Sequence, residues 1–282
     1  DGRYGEEDGS RFVELCTAAS RPRHYLKLSD EDLLSVERPA QYLGAETGSV
    51  LKDDAEIDLH IGLCFPDTYE VGMSHLGLHV LYHLVNADPD VAAERFYAPW
   101  TDMERLMRAR GIPLFSLESH RPATEFDLLG FTLQYELSYS NVVNMLDLAG
   151  IPLLARDRTA RHPVILAGGP CSANPEPLAE MIDLFVIGDG ETALLRVIDA
   201  YKRWQGTRVG KEDFLTSVCC LPGVYVPAFY EVRADHTGGL QAIVPTIPQA
   251  PDAIQRAIEP DVNAAAHVQA PLVSYLQTVH DR

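Results

Sequence analysis

The amino-acid sequence predicts an α/β protein, a doubly wound parallel five-stranded sheet followed by a β-hairpin and a linker. Three observations predict it. Between Ile57 and Trp204, strand-type and helix-type patterns alternate five times, as they do when helices cover both faces of a parallel sheet. Two of the strand candidates, Val164–Ala167 and Leu184–Ile187, are unbroken apolar runs, the pattern of strands buried on both faces. Each is ended by a glycine-rich turn, Gly168-Gly169-Pro170 and Gly188-Asp189-Gly190, which lets a ligand approach the backbone at the strand's carboxyl end.

The elements follow in order. Residues 1–20 are polar and aperiodic and are expected to be a disordered lead-in; an N-terminal extension, 21–56, holds one short helix in DEDLLSVE. The main domain, 57–206, opens with strand one, Ile57–Cys64, and helix one, Ser74–Asn86. Strand two is Ala92–Tyr97. Helix two carries a capping box in Thr101 and Glu104 and a C-terminal stop at Gly111. Strand three, Asp127–Leu133, leads to helix three, Ser138–Ala149, which Gly150 and Pro152 terminate. Strand four is Val164–Ala167, a short helix covers Pro177–Met181, strand five is Leu184–Ile187, and helix five runs from Gly190-Glu191 to Trp204. In 207–245 a helix precedes two extended runs, GVYVPAFYEV and LQAIVP, which flank the turn residues Asp235–Gly239 as a hairpin between Val224 and Val244, outside the five-stranded core. Residues 246–282 read as a linker ending in the apolar run PLVSYLQTV.

Composition narrows the function classes. The 282 residues carry 41 acidic against 23 basic side chains, a net charge of −18 that repels polyphosphate, so no nucleic-acid partner is expected. The basic cluster Arg156, Arg158 and Arg161 is expected to be a solvated loop. No run approaches the roughly 18–20 apolar residues that span a bilayer, and the N-terminus has no basic-then-apolar leader; a cytoplasmic location and no membrane partner are expected. Five cysteines, Cys16, Cys64, Cys171, Cys219 and Cys220, form no C-x-x-C pair and are expected to be reduced thiols.

Four blocks carry a resemblance. FPDTYEVGMSHLGLHVLYHLVN (Phe65–Asn86), FYAPWTDMERLMRARGIPLFSLES (Phe96–Ser119), GFTLQYELSYSNVVNMLDLAGIPL (Gly130–Leu153) and VHDR (Val279–Arg282), with the GGP, PEPL and GDGE spacing between Gly168 and Glu191, resemble one family of fused cobalamin-binding and radical S-adenosylmethionine (radical SAM) proteins. The similarity covers about Leu34 to Arg282. It implies a Rossmann-like domain of flavodoxin-like strand order 2-1-3-4-5, with the topological switch between strands one and three, and a radical SAM barrel following in the same polypeptide. It fixes no substrate. The C-x-x-x-C-x-x-C signature that holds the radical SAM cluster is absent from these 282 residues, so the 4Fe-4S cluster and S-adenosylmethionine are expected only in a downstream domain.

Candidate site residues come from the loops that such a sheet brings to its carboxyl edge. After strand one they are Asp67, Tyr69, Gly72 and Ser74; Gly72 and Gly77 clear the start of helix one, where free N–H groups receive an anion or Ser74 simply caps the helix. After strand three they are Gln134, Glu136, Ser138 and Asn141, a dense set of hydrogen-bonding groups in a region that faces the corrin ring in the resembled domains. Gly168, Gly169 and Pro170 follow strand four, and Gly188, Gly190 and Glu191 follow strand five. A β-branched side chain at Gly169 is expected to block a ligand while leaving the fold intact.

Cobalamin, if bound, is expected without a histidine as lower ligand. The nearest approach to a D-x-H-x-x-G loop, Asp58-Leu59-His60-Ile61-Gly62, is one residue short and lies inside strand one. His75, His79 and His83 recur every four residues but are expected to form a solvent-facing stripe opposite Leu76, Val80, Leu81, Leu84 and Val85, not a metal site. No catalytic residue or metal ligand is expected in the chain. The leading functional expectation is a non-catalytic, cobalamin-type cofactor-binding module of a radical SAM enzyme. Its alternative is a degenerate domain without the vitamin that serves as a docking scaffold for substrate or barrel.

Overall fold

The computed structural model describes residue 26 and residues 28–44, 46–205, 207, 210–234, 239–261 and 272–273. The expected lead-in with Cys16, the hairpin turn at 235–238 and the closing residues 274–282 lie outside the described residues.

A short helix α1 (Asp30–Leu34), with Ser29 and Asp32 in a reciprocal capping box, precedes the sheet. The core then runs β1 (Leu59–Phe65), α2 (Tyr69–Gly72), α3 (Leu76–Asn86), β2 (Val91–Tyr97), α4 (Thr101–Arg110), β3 (Leu128–Thr132), α5 (Tyr139–Leu148), β4 (Val164–Gly168), β5 (Leu184–Val186) and α6 (Gly190–Gln205). After it come α7 (Lys211–Val218), β6 (Val224–Tyr225), β7 (Tyr230–Ala234) and β8 (Leu240–Pro245). The sheet order is β2-β1-β3-β4-β5-β6, parallel through β5, so the switch point falls between β1 and β3 as expected.

Strand alternation divides the core in two. Leu59, Ile61, Leu63, Leu128, Leu166 and Val186 point to the face covered by α3 and α6, whereas Phe96, Leu129, Phe131, Ile165 and Phe185 point to the face covered by α4 and α5.

The sheet gains a sixth strand that sequence reading placed in the hairpin. Pro227 divides the run GVYVPAFYEV, because proline cannot donate to a ladder. Val224 and Tyr225, on one side of it, pair antiparallel with Val186 and Phe185; Tyr230–Ala234, on the other, pair with β8.

Three local expectations are corrected. Thr101 is not a cap: it is the first residue of α4, Trp100 holds the cap position without a side-chain bond, and Glu104 instead binds Arg108 and Asn144. The histidines of α3 are not a solvent stripe. His75, rather than Ser74, caps the helix, with Nδ1 accepting from the Leu78 amide at 3.1 Å, and His79 is buried with Nε2 2.7 Å from the Met73 carbonyl, while Leu76 is 66% exposed. Burial of Leu78, Tyr82 and Val85, at about 2 kcal/mol each, sets the rotation of the helix and outweighs the burial of one hydrogen-bonded imidazole. Burial holds the His79 pKa below its ordinary value.

The third correction concerns Arg158, which is buried rather than solvated. Its guanidinium lies 3.2 Å from the Asp183 carboxylate and donates to the carbonyls of Pro152, Leu153 and Met181. Arg156 and Arg161 are exposed.

Candidate functional site at the carboxyl edge of the sheet

Where β1, β3, β4 and β5 end, the α3 and α6 face of the sheet carries a cleft of about 180 Å³. Its floor is Leu63, Gly130, Thr132, Leu166, Gly168 and Val186. His75, Leu78 and Leu81 of the α3 segment form one wall and Gly190, Glu191 and Leu194 of α6 the other. The lining is mostly apolar, with a few polar groups near the mouth, the composition of a small-molecule site.

Two glycines open it. A Cβ built on Gly130 meets nothing closer than the Gly62 carbonyl oxygen at 3.9 Å, and one on Gly168 has ordinary contacts with Val186 at 3.6 and 3.9 Å. A side chain at either position would enter the cleft. Gly130 was not among the expected site residues, although a glycine inside a strand pattern is a signal for close approach of a ligand or backbone. His75 and Thr132 were likewise missed; Thr132 Oγ1 accepts from Gln134 Nε2 at 2.7 Å, which fixes the amide beside the cleft.

Six of the expected residues, Gln134, Gly168, Gly169, Gly188, Gly190 and Glu191, come together around this cleft. Two of their glycines have structural reasons of their own. Gly169 has φ +97°, and a Cβ there would sit 2.8 Å from the Leu133 carbonyl oxygen, so the expectation that a β-branched residue is harmless to folding at this position is not met. Gly188 has φ +107°, and its Cβ would lie 2.2 Å from the Ala257 carbonyl oxygen. Pro170 borders an adjoining cavity rather than the cleft.

Of the remaining expected residues, Asp67 and Asn141 tie the loops of the switch point to one another, and the others have local roles. The Tyr135 hydroxyl donates to the Asp67 carboxylate, and Asn141 Nδ2 donates to the Pro66 carbonyl at 2.9 Å, so the loops after β1 and β3 are bridged twice. Ser138 is buried and its hydroxyl donates to the Tyr135 carbonyl at 2.7 Å. Gly72 gives room to the rings of Tyr97 and Phe65, which a Cβ would meet at 2.5 and 2.7 Å. Tyr69 packs edge-on against Tyr97, and burial raises its pKa. The Ser74 hydroxyl is buried without a hydrogen-bond partner. Glu136 is exposed at the rim, next to Leu137, which is 85% exposed.

Cys171 is half-buried beside Tyr139, and desolvation pushes its thiol pKa up, away from a nucleophilic thiolate. Among the described residues no group of three or more His, Cys, Asp or Glu side chains is placed to hold a metal ion. No helix among them is long and apolar enough to cross a membrane.

The fold is that of a doubly wound α/β domain, with a cleft at the carboxyl edge of its parallel sheet, the edge where such folds bind ligands. The chain belongs to the family described as radical SAM proteins, N-terminal, whose model matches residues 77–227. It is therefore an N-terminal module associated with radical SAM proteins. Over 145 residues it is 26% identical to an uncharacterised protein of Methanocaldococcus jannaschii, an alignment that covers 50% of this chain and 26% of that protein. Among solved structures, the chain is similar to the radical S-adenosylmethionine methyltransferase TsrM of Kitasatospora setae, solved with cobalamin and a 4Fe-4S cluster bound. It matches at 15% identity and a TM-score of 0.38, over 69% of this chain and 32% of that one. The chain thus spans about a quarter of the length of the archaeal relative and about a third of the solved chain.

Proposed function

We propose that this chain is the cobalamin-binding module of a radical SAM enzyme, that a radical SAM barrel in the same polypeptide carries the 4Fe-4S cluster and S-adenosylmethionine, and that the module is not itself catalytic. The observation that carries the reading is the cradle at the carboxyl edge that Gly130 and Gly168 leave for a ligand, in a chain whose family accompanies radical SAM domains. The residues fit the vitamin. An apolar slot suits its flat aromatic base, and the exposed Tyr135, Glu136 and Leu137 beside the mouth offer a mixed surface to the corrin.

Gly130, Gly168 and Gly169 would hold the ligand through close backbone approach, Thr132 and Gln134 through hydrogen bonds, and Leu63, Leu166 and Val186 through apolar contact. Asp67 and Glu136 would meet the corrin at the rim. When bound, cobalamin supplies a cobalt centre able to carry a methyl group or an electron. The chain's own part is to bind and orient it.

The test is absorbance and stoichiometry after anaerobic loading with hydroxocobalamin, with one equivalent expected. The cob(II)alamin spectrum should show no nitrogen hyperfine coupling from a protein imidazole. His60 is buried within β1, and His75, the histidine that lines the cleft, has its Nδ1 engaged by the Leu78 amide. Coupling that disappears in His75→Ala or His60→Ala would overturn this part of the reading.

Failure to bind cobalamin would favour a second reading, a docking scaffold for substrate or barrel. That reading draws on Leu76 and Leu137, which are 66% and 85% exposed near the same edge. Iron and sulfide reconstitution of this chain should give neither a stoichiometric cluster nor 5′-deoxyadenosine from S-adenosylmethionine.

A further inference from the structure

The segment after the hairpin reads as an aperiodic linker, yet residues 255–259 are fixed against the ligand loops. Gly223 N donates to the Gln255 carbonyl at 2.8 Å, Ala257 N donates to the Ile187 carbonyl at 2.8 Å, and Asp189 N donates to the Ala257 carbonyl at 3.0 Å. Ala257 thereby forms a parallel bridge with Gly188, beyond the end of β5. Glu259 closes the arrangement, its N–H on Asp189 Oδ2 at 2.8 Å and its carboxylate accepting from the Thr192 hydroxyl. Gly188 and Gly223 both have positive φ, and a Cβ on either would collide with Ala257. The backbone on both sides of Arg256 is therefore held by the sheet.

Arg256 borders a cavity of about 350 Å³, with Gly169, Pro170 and Ser172 from the loop after β4 and Gly188 and Asp189 from the loop after β5. Gly169 and Gly188 also line the apolar cleft, so the two spaces meet across this glycine pair. In a chain of net charge −18, Arg256 has no ion-pair partner among the described residues. The neighbouring Asp189 carboxylate is turned to the Glu259 amide. A cation on a fixed backbone, beside a slot for an apolar group, is the arrangement that orients an amphiphilic ligand by its anionic end.

We infer that the cavity under Arg256 is the anion subsite of the cleft, taking the phosphate of a ligand whose flat apolar part occupies the cleft. The identity of that ligand rests on the cobalamin reading, under which the anion is the phosphodiester of the nucleotide loop. The subsite itself rests on Arg256 and the shared glycine pair.

The test compares wild type, Arg256→Met and Arg256→Lys by equilibrium dialysis with four probes. Hydroxocobalamin has corrin, base and phosphodiester, and cobinamide has the corrin alone. α-Ribazole 3′-phosphate has base and phosphate, joined as in the nucleotide loop, without corrin; the fourth probe is inorganic phosphate. Arg256→Met should weaken hydroxocobalamin and α-ribazole 3′-phosphate about tenfold, the effect of one charge-assisted contact. It should leave cobinamide unchanged, and Arg256→Lys should recover part of the loss. Equal affinity of wild type and Arg256→Met for both phosphate-bearing probes, or an equal loss for cobinamide, overturns the assignment. So does inorganic phosphate binding as tightly as α-ribazole 3′-phosphate, since the anion would then be held independently of the cleft. Binding of α-ribazole 3′-phosphate that depends on Arg256, without binding of hydroxocobalamin, would end the cobalamin reading and leave the subsite standing. If neither phosphate-bearing probe binds wild type, the subsite falls too.

Discussion

The face of the sheet under α4 and α5 is packed with rings and thioethers, whereas the face under α3 and α6 opens into a cleft at the carboxyl edge. On the packed face, Phe96 and Phe126 meet edge to face at 5.0 Å between centroids, and Met103, Met107, Phe131 and Phe185 belong to the same buried cluster. Gly62 of β1 belongs to that face. A Cβ there would lie 2.5 Å from a Leu129 methyl and 2.6 Å from the Phe96 ring, so the glycine admits a neighbour's side chain. Gly130, on the adjacent strand, points the other way and has open space before it. One residue type thus does opposite things on neighbouring strands: a strand glycine marks a ligand site only where nothing in the protein fills the room it leaves.

The variant expected to do most damage is Gly188→Val, although it sits on the cleft side. Positive φ and a backbone collision with Ala257 should together cost roughly 4 kcal/mol, read as a large fall in the urea midpoint. Unchanged stability would show that the Ala257 bridge does not persist in solution, and that Gly188 is free to serve a ligand alone. Next is Arg158→Met, which leaves the buried Asp183 carboxylate with Lys211 and the Ile165 amide but without its guanidinium. About 3 kcal/mol should be lost, as for other buried pairs that lose one partner.

A matched pair then tests the contrast between faces. Gly62→Val should cost about 2 kcal/mol through overpacking. Gly130→Leu should change stability by no more than about 1 kcal/mol, as a side chain entering open space on a strand does. It should nonetheless weaken hydroxocobalamin at least tenfold by filling the cleft. Gly130→Leu that binds normally would mean the ligand lies elsewhere. Comparable unfolding midpoints for the two variants would erase the distinction between the faces.

How much of this was readable in advance follows from what sequence encodes locally. The apolar runs Val164–Ala167 and Leu184–Ile187 announce doubly covered strands because burial on both faces removes polar residues from them. Gly111 announces a helix end because its left-handed conformation, φ +65°, suits few other residues. The GGP and GDG turns pointed to the sheet edge at which the cleft lies. Gly130 stayed hidden because its meaning depends on what the neighbouring strands place in front of it, and Gly62, on the adjacent strand, looks the same in sequence. His79 and Arg158 were misjudged for a related reason. Each is buried on backbone carbonyls, Met73 for one and Pro152, Leu153 and Met181 for the other, and no spacing rule records where distant carbonyls turn. The clasp of Ala257 on Gly188 joins residues about seventy positions apart through a segment with no periodicity.

The smallest expected effect lies at the edge of β2, where the two faces meet. Arg95 is fully buried there. It pairs with Glu118 at 2.6 Å and Glu46 at 3.2 Å and lies over the Tyr82 ring, but one of its terminal nitrogens and the Tyr97 hydroxyl are buried without a hydrogen-bond partner. Both residues line a space of about 30 Å³, enough for one water molecule. A buried hydroxyl with no partner contributes nothing at neutral pH, so Tyr97→Phe should be neutral or stabilise by up to about 1 kcal/mol. The variant should also change the alkaline limb of the stability curve. Burial pushes the Tyr97 pKa up to about 12 from 10.0, so the folded state favours the neutral phenol. Wild type therefore keeps its full stability below pH 10.0 and loses part of it as the pH rises through about 12. Chemical denaturation between pH 7 and 12 should therefore find wild type losing stability more steeply than Tyr97→Phe at the alkaline end. A loss of 1 kcal/mol or more at pH 7 in the variant would reveal a partner for the hydroxyl, a water held between Tyr97 and Arg95 being the one this space admits.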